Sequence, residues 1–317
     1  MKKLNLLLFI FALFTSRSYA QHVIDSTQFE DVPVTLETPT GKIFGNILSP
    51  LHYKKGPVVL IIAGSGPTDR DGNNMFMKNN SLKQLAYSLA DAGIPSLRFD
   101  KRGIAASTAA MTKEEDIRFD DYINDVKDWI SFLRKNKRFT SVIIAGHSEG
   151  SLIGMIAANG NADKYISLAG AGEPISQTLK RQLKTQVPQM SNRCNSIIDS
   201  LDQGLTVSNT PKALTSLFRP SVQPYLISWF KYNPQKEIAK LSIPVLIIQG
   251  ESDLQVTVND AKMLSAAKPD AKLYLIKNMN HVFKTVTDDK DNYKSYGETA
   301  RPISSEMVQH IIDFIRQ

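Results

Sequence analysis

Residues 141–151 constrain the fold of this chain more than any other stretch. A short run rich in β-branched residues leads directly into residues 146–150, which have the form G-x-S-x-G, and a small-residue helical pattern begins at Leu152. Gly146 and Gly150 are needed because a side chain at either position would collide with the neighbouring strand and helix. Strand, sharp turn and helix in this order are typical of a nucleophile elbow, which lifts Ser148 clear of the sheet edge. The alternative is an ordinary strand–helix turn with glycines at its tight points.

The rest of the chain alternates strand and helix patterns. Residues 32–36 and 42–48 predict a hairpin, and the continuous apolar run 57–63 is typical of a strand buried on both faces. The later predicted elements are a helix at 82–90, a strand at 94–99, a helix at 119–133, a strand at 142–145, a helix at 152–158, strands at 165–169, 244–249 and 272–276, and a helix at 305–315. This alternation predicts an α/β fold with a mostly parallel sheet covered on both faces by helices.

The alternation breaks at residues 173–240. This stretch has helical patterning, several prolines and no buried-strand pattern, so we predict a helical lid over the carboxyl edge of the sheet. Two uses of its aromatic side chains stay open, because aromatics dominate both pockets and cores. The side chains in question, which either line a substrate pocket or pack within the lid, are Phe218, Tyr225, Trp229 and Phe230.

The amino terminus reads as a secretory signal peptide. Lys2 and Lys3 precede an apolar segment, residues 4–14, and Ser18-Tyr19-Ala20 matches the small-x-small cleavage rule. The apolar segment is too short for a stable membrane span, so we expect cleavage after Ala20, no membrane insertion afterwards, and a periplasmic or secreted protein. The alternative is an uncleaved anchor. The predicted organisation is therefore a signal peptide at 1–20, a core at 21–172 and 241–317, and a lid at 173–240.

Composition excludes several classes of partner. The chain has 317 residues, of which 42% are hydrophobic, enough for a full core. Of its formal charge of +7, the expected cleavage removes Lys2, Lys3 and Arg17 and leaves +4, which is spread along the chain. The one basic cluster, at 134–138, lies at a predicted helix end, where cations are favoured, so no nucleic-acid partner is expected. The single Cys194 cannot form an internal disulfide, and none of the five histidines belongs to a ligand-type pair. We expect no metal and no cofactor, and the sequence does not specify the oligomeric state.

A serine nucleophile needs a base and a carboxylate that orients the base. In folds with this elbow the order along the chain is Ser, Asp or Glu, then His. Of the two histidines well downstream, His310 falls within the closing helix pattern, whereas His281 follows the predicted strand at 272–276. We therefore predict His281 as the base, with a loop histidine of no catalytic role as the alternative.

The carboxylate is expected just after the strand at 244–249. Asp253 is the first choice and Glu251 the alternative, since a short turn places either near the sheet edge. Asp260 falls in the next helix pattern and is expected to be solvated. The predicted set is thus Ser148, Asp253 and His281.

Acyl transfer also needs donors for the developing oxyanion. One is the backbone N–H of Glu149, directly after the serine, and the other comes from the loop after the third strand, with Gly66 the first choice and Ser65 the second. Charged residues 69–71 of the same loop are expected to form a structural ion-pair corner. Arg102 either faces the substrate or, as loop arginines more often do, orders its neighbours by hydrogen bonds.

Together these motifs resemble the α/β-hydrolase superfamily, and within it the secreted bacterial carboxylesterases grouped with the serine-aminopeptidase-like hydrolases. The resemblance covers the chain from about Val32 onward and rests on residues 64–73 (GSGPTDRDGN), 100–103 (DKRG), 146–150 (GHSEG), 217–225 (LFRPSVQPY), 250–256 (GESDLQV) and 280–284 (NHVFK). It implies an α/β-hydrolase fold with a sheet of about eight strands and a helical lid.

The resemblance also implies a function. It implies hydrolysis of short-chain carboxylic esters through an acyl-serine, with Ser148 as nucleophile, His281 as base and acid, and Asp253 as orienting carboxylate. The first alternative is a serine peptidase or amidase with the same triad, in which Glu149 and Glu173 are candidates for holding a free amine. The second is a non-catalytic binding protein, which the complete and correctly ordered triad disfavours.

Overall fold

The computed structural model describes residues 28–317, and within them the chain forms one eight-stranded sheet in the order β1-β2-β4-β3-β5-β6-β7-β8. The strands are β1 (Phe29–Thr38), β2 (Gly41–Pro50), β3 (Gly56–Ile62), β4 (Ser96–Phe99), β5 (Phe139–His147), β6 (Lys164–Leu168), β7 (Val245–Gly250) and β8 (Lys272–Ile276). β2 runs antiparallel to both of its neighbours, β1 and β4. The strands that follow in sheet order, from β4 through β3 to β8, are all parallel. The predicted α/β sheet is confirmed.

Helices cover both faces of the sheet. They are α1 (Ser81–Asp91), α2 (Phe119–Arg134), α3 (Glu149–Ala158), α4 (Ile175–Gln186), α5 (Ser191–Asp202), α6 (Thr215–Phe218), α7 (Gln223–Phe230), α8 (Pro234–Ala239), α9 (Val258–Ala267), α10 (Asp289–Ser295) and α11 (Ser305–Arg316). None of these helices, which all lie within residues 28–317, is long and apolar enough to cross a membrane. The predicted signal peptide at 1–20 lies outside the described residues.

The apolar strands divide the core into two layers. Alternate residues of β3 point to opposite faces, so Val58 and Leu60 pack with α2 and α3, while Val59 and Ile61 pack with α1 and α11. This is why the run at 57–63 is continuously apolar: both of its faces are buried. Trp129 of α2 is fully buried in the first layer.

Parallel strands bring their carboxyl ends to one edge of the sheet, where ligands of such sheets bind. The segments that follow β3, β4, β5, β7 and β8 are residues 63–80, 100–103, 148, 251–256 and 277–283. Every residue of the predicted triad and oxyanion hole lies in one of these segments or at the first position of α3. The topology alone therefore gathers sequence motifs that are as far apart in the chain as Ser65 and His281.

Between β6 and β7 the chain leaves the sheet and forms α4 to α8, which we call the helical insertion (residues 175–239). It contains no strand, as its pattern predicts. Its apolar side chains join the first core layer, since Ile197, Leu201 and Phe218 are fully buried there.

One residue expected to be solvated is buried. Asp260 lies in the first turn of α9, where its carboxylate accepts from the Thr257 backbone as part of a capping box. It also accepts from the Gly172 N–H at 3.1 Å and from Arg181 of α4 at 2.8 Å. The expectation failed because helix periodicity gives no sign that a distant loop and the helical insertion close over this helix end.

Candidate active site

The elbow has the geometry that its sequence requires. β5 ends at His147 and α3 begins at Glu149, so Ser148 turns the chain alone, with φ 54° and ψ −118°. A Cβ on Gly146 would lie 2.2 Å from the Gly150 carbonyl oxygen, and a Cβ on Gly150 would lie 2.6 Å from the Ala63 oxygen. Both glycines are therefore required by close backbone approach, and Ser148 holds a positive φ that non-glycine residues seldom adopt.

Asp253 and His281 form a buried pair. His281 Nδ1 lies 2.7 Å from Asp253 Oδ2. The other carboxylate oxygen accepts from the backbone N–H groups of Gln255 at 2.7 Å and Val256 at 2.9 Å, and Gln249 Nε2 donates to Oδ2 at 3.0 Å. Burial alone would raise the pKa of Asp253, but the His281 ring and these hydrogen bonds lower it below its usual value. The carboxylate is thus ionised and fixed in place.

The alternative carboxylate and the alternative histidine lie elsewhere. Glu251 is exposed, two residues before the buried Asp253. His310 of α11 stacks on Tyr274 of β8, with ring centroids 3.7 Å apart. The structure therefore brings together Asp253 and His281, the first choices from the sequence.

The His281 loop is fixed against the elbow through His147. His147 Nε2 lies 2.9 Å from the His281 carbonyl oxygen, and the centroids of the two rings are 4.7 Å apart. Because a carbonyl only accepts, His147 Nε2 carries the proton. Burial lowers the pKa of His147 to about 3, so its ring is neutral at physiological pH. Among residues 28–317, Ser148 makes no side-chain hydrogen bond, so the contact between the elbow and the His281 loop is made by His147.

Asn280 shapes the same loop from the other side. Its side-chain oxygen accepts from the Val282 and Lys284 backbone N–H groups at 3.2 and 2.9 Å. Its amide donates to Asn292 at 2.9 Å and to Ser295 at 2.7 Å in α10. All these groups are buried, and they hold the backbone on both sides of His281.

The loop after β3 approaches the serine closely. An added Cβ on Gly64 would lie 3.2 Å from Ser148 Cβ, which shows how near this backbone passes. Ser65 and Gly66 follow and both line the cavity described below, as does Glu149. Gly66 has φ +69°, and its Cβ position is open space. Both predicted candidates for the second oxyanion donor thus line the same cavity as Ser148.

Ion pairs anchor the far side of that loop, as residues 69–71 predict. Arg70 pairs with Asp100 at 2.6 Å, and Asp71 accepts from Arg98 at 2.8 Å. Asp69 accepts from two N–H groups of its own turn, those of Asp71 and Asn73. The charges therefore tie the loop to the end of β4.

A buried charge pair lies directly behind the elbow. Lys101 Nζ donates to Glu149 Oε2 and to the Gly64 carbonyl oxygen, both at 2.6 Å. Tyr225 of α7 donates its hydroxyl to the other oxygen of the Glu149 carboxylate. Burial, and then the neighbouring carboxylate, raise the pKa of Tyr225 well above its usual value, so it remains a donor. The sequence analysis missed Lys101, although its place in DKRG directly after a strand was a signal for a site residue.

Ser148 opens into a cavity of about 630 Å³ between the sheet edge and the helical insertion. Its walls are mostly apolar, with Leu152 from α3, Leu179 from α4, and Tyr225 and Trp229 from α7. Trp229 stacks on Phe119, with ring centroids 5.3 Å apart and planes 6° from parallel. A volume of this size lies in the range of small-molecule sites.

Of the residues predicted for substrate binding, two lie outside the cavity, and a third has its polar group bonded to other parts of the protein. Phe218 is fully buried and Phe230 nearly so, and neither lines the cavity. On α7, Tyr225 and Trp229 share a face at the i, i+4 spacing, and Phe230 points about 100° away from it. Arg102 lies at the cavity edge, but its guanidinium is taken up by Asp125 of α2, Thr40 and the Ala110 carbonyl. These contacts favour the ordering role, the second of its two predicted roles.

Every acidic side chain that lines the cavity has a basic partner. Glu149 pairs with Lys101, as described. Glu114 pairs with Arg219 of the helical insertion, which lowers the pKa of Glu114. Glu173 pairs with Arg181 at 2.5 Å. The cavity wall therefore offers no unpaired carboxylate within the described residues.

Comparison with known proteins finds a serine aminopeptidase family model and esterases. Residues 75–219 match the family model of the serine aminopeptidases of family S33. The esterase EstD of Thermotoga maritima is 26% identical over 275 residues, which cover 82% of this chain and 61% of that protein. The chain thus spans less than two thirds of the length of this curated relative.

Solved structures share the fold. Est1E from Butyrivibrio proteoclasticus superposes with a TM-score of 0.59 at 16% identity, covering 90% of this chain and all of that one. The Pyrococcus furiosus esterase Pf2001 gives a TM-score of 0.60 at 15% identity, covering 91% of each chain. The α/β-hydrolase fold and the resemblance to esterases and serine-aminopeptidase-like hydrolases are confirmed.

Proposed function

We propose that this protein, an α/β-hydrolase by fold, is a serine hydrolase that cleaves short-chain carboxylic esters. The observation that carries the proposal is the position of Ser148, at a strained elbow open to an apolar cavity and next in the chain to His147, which contacts the His281 of the buried Asp253–His281 pair. The similarity to an esterase from Thermotoga maritima supports it.

The proposed reaction has two halves. In the first, His281 takes the proton of Ser148 as the serine oxygen attacks the ester carbonyl, and the oxyanion is stabilised by the N–H of Glu149 and that of Ser65 or Gly66. His281 then protonates the leaving alkoxide, and an acyl-serine remains. In the second half, His281 takes a proton from water as the water oxygen attacks the acyl-serine, and it returns that proton to the Ser148 oxygen as the bond to the acyl group breaks and the acid leaves. Asp253 orients the ring and stabilises its charged form.

Pairing of the acids favours an esterase over an aminopeptidase. Recognition of a free amine requires a carboxylate whose charge is not already neutralised. Of the two candidates for that role, Glu149 is neutralised by Lys101. Glu173 shares the Arg181 guanidinium with Asp260, so a free amine would have to compete with that cation for the Glu173 carboxylate. A neutral, apolar acyl or alcohol group fits the cavity wall better. The cavity has room for more than a butyryl chain, so chain length is part of the test.

The test is a paired assay of the protein and its Ser148→Ala variant. The substrates are p-nitrophenyl acetate, butyrate and octanoate, beside an aminoacyl p-nitroanilide. We expect ester turnover that falls from butyrate to octanoate and disappears in the variant, with negligible anilide cleavage. Faster cleavage of the anilide would move the assignment to a peptidase. Equal rates for the wild type and Ser148→Ala on every substrate would refute the assignment of the nucleophile and favour a non-catalytic binding protein.

We also propose that the protein is exported, on the basis of residues 1–20. The test is fractionation of cells that express the full chain or a variant with Leu7→Arg and Leu8→Arg. We expect mature protein beginning at Gln21 outside the cytoplasm, and retention of the variant inside. Retention of both proteins with residues 1–20 intact would refute export.

A further inference from the structure

The two donors proposed for the oxyanion belong to separate loops, and one buried side chain touches both loops. Lys101, at 2% exposure, follows β4 and sends its ammonium group to Gly64 and to Glu149. Gly64 precedes Ser65, and Glu149 itself carries the other donor. The ammonium also lies 5.1 Å from the centroid of the Tyr122 ring, a third stabilising contact.

The contact with Gly64 fixes the direction of a donor. In a trans peptide the carbonyl and the next N–H point in opposite directions in one plane, and no cis peptide occurs within residues 28–317. Because Lys101 holds the Gly64 carbonyl, the Ser65 N–H points away from Lys101. That N–H makes no hydrogen bond in the described part of the chain, and Gly64 packs against Ser148. A charged donor on the carbonyl also polarises the peptide and strengthens its N–H as a donor.

We propose that Lys101 is a positioning residue for ester hydrolysis: it orients the Ser65 N–H and holds it in register with the Glu149 N–H, so that Ser65 supplies the second oxyanion donor. This inference rests on the proposed function. It also selects Ser65 over Gly66, the first choice from the sequence. Tyr225 extends the same network to α7, so the cavity wall and the oxyanion hole share one set of hydrogen bonds.

The test compares Lys101→Met with a matched control, Lys164→Met. Lys164 also bonds backbone carbonyls, those of Phe314 and Ile315, and lies 5.3 Å from the Phe314 ring centroid, but it stands at the start of β6, at the opposite edge of the sheet. Both variants lose a lysine with carbonyl and aromatic contacts. Only Lys101→Met removes the contact with the oxyanion loop.

A double variant separates positioning from folding. Lys101→Met alone leaves the buried Glu149 carboxylate with the Tyr225 hydroxyl as a donor but with no compensating charge, which is strongly destabilising. Lys101→Met/Glu149→Gln removes that charge and is expected to recover most of the lost stability. It still lacks the ammonium on the Gly64 carbonyl, so its turnover stays low.

The readouts are kcat and KM for p-nitrophenyl butyrate, and inhibition by 1,1,1-trifluoro-2-hexanone. The ketone binds as a tetrahedral adduct in which the serine oxygen bonds to the carbonyl carbon and the carbonyl becomes an oxyanion. Loss of one oxyanion donor costs about 100- to 1,000-fold in kcat, and a misaligned donor costs less. For Lys101→Met and the double variant we therefore expect kcat about 10- to 100-fold lower, inhibition weakened by a similar factor, and KM nearly unchanged. Lys164→Met keeps the wild-type kcat.

Two results would overturn the inference while the proposed function stands. One is a Lys101→Met enzyme with the kcat and inhibition of Lys164→Met. The other is a double variant that recovers turnover together with stability, since charge compensation would then be the whole role of Lys101. A wild-type protein that neither hydrolyses esters nor binds the ketone would overturn the proposed function, and this inference with it.

Discussion

The elbow region and the helical insertion are built from different kinds of contact. In the elbow region, which comprises residues 146–150 and the loops that carry Asp253 and His281, backbone atoms approach each other closely. The side chains of His147, Asp253 and Asn280 are held there by hydrogen bonds. The helical insertion packs by aromatic and aliphatic side chains and leaves a cavity beneath it. The difference teaches that close backbone approach sets the position of Ser148, whereas side-chain packing sets the shape of the cavity, with the hydrogen bond from Tyr225 to Glu149 joining the two regions.

The largest expected effect is on Asp253. Asp253→Asn removes the charge that orients and stabilises the His281 ring, so we expect kcat on p-nitrophenyl butyrate to fall about 10,000-fold with little change in KM. The matched control is Glu251→Gln, two residues away and exposed, which should keep the wild-type rate. A loss of rate in the control equal to that in Asp253→Asn would show that the wrong carboxylate has been assigned.

Gly146→Ala tests whether the elbow is fixed by its backbone. The new Cβ would meet backbone atoms of Gly150 and Ser151 at 2.2 to 2.7 Å, so strand and helix must separate. We expect the free energy of unfolding in urea to fall by about 3 kcal/mol or more. Gly160→Ala, at φ +73° with open space at its Cβ, is the control and should cost about 1 kcal/mol through backbone strain alone. Similar losses in the two variants would contradict this prediction.

His147→Gln tests how the buried, neutral His147 of the elbow region makes the free energy of unfolding depend on pH. The pKa of His147 is lowered to about 3 in the folded protein and is about 6.5 in the unfolded chain. The unfolded state therefore binds more protons between these values, so this stabilising contribution is complete above pH 6.5 and is lost as the pH falls towards 3. Between pH 7 and 5 it amounts to about 2 kcal/mol.

The glutamine amide can still donate to the His281 carbonyl, but it does not titrate. We expect urea unfolding at pH 7, 6 and 5 to show a flatter pH dependence for His147→Gln than for the wild type. Parallel curves for the two proteins would mean that His147 does not titrate differently on unfolding.

The smallest expected effect is in the helical insertion. Trp229→Ala removes a large side chain from the wall and so enlarges the cavity. We therefore expect kcat/KM for the octanoate ester to rise about 10-fold relative to that for the acetate ester, with kcat on acetate nearly unchanged. Phe230→Ala, one position along α7 but outside the cavity, is the control and should lower stability without changing this ratio. A large fall in kcat on acetate with Trp229→Ala would contradict this contrast between the two regions, because a side chain of the cavity wall would then affect the rate of the chemical step.

The elbow region and the helical insertion also differ in how well they could be predicted from the sequence. The elbow was predictable because G-x-S-x-G between a buried strand and a helix permits one local geometry, and the ordered motifs around Asp253 and His281 follow from the strand order. The sheet was predictable from its continuous apolar runs. In each case a short stretch of chain contains the whole physical cause.

Residues whose role depends on distant contacts were not predictable. Lys101 has partners 37 and 48 positions away, which no local pattern records. Asp260 is buried by Gly172 and Arg181. Phe218 and Trp229 are both aromatic residues of the helical insertion, and only the packing of its helices decides which one meets the cavity.

The backbone of Ser148 has a consequence for how such a chain evolves. At φ 54° and ψ −118° only glycine is free of strain, and the strain on serine is about 1–3 kcal/mol. Glycine at this position would therefore give a more stable and inert protein. A population selected for abundance alone would drift towards that inert form, so retention of serine at position 148 across generations would itself be a record of selection for turnover.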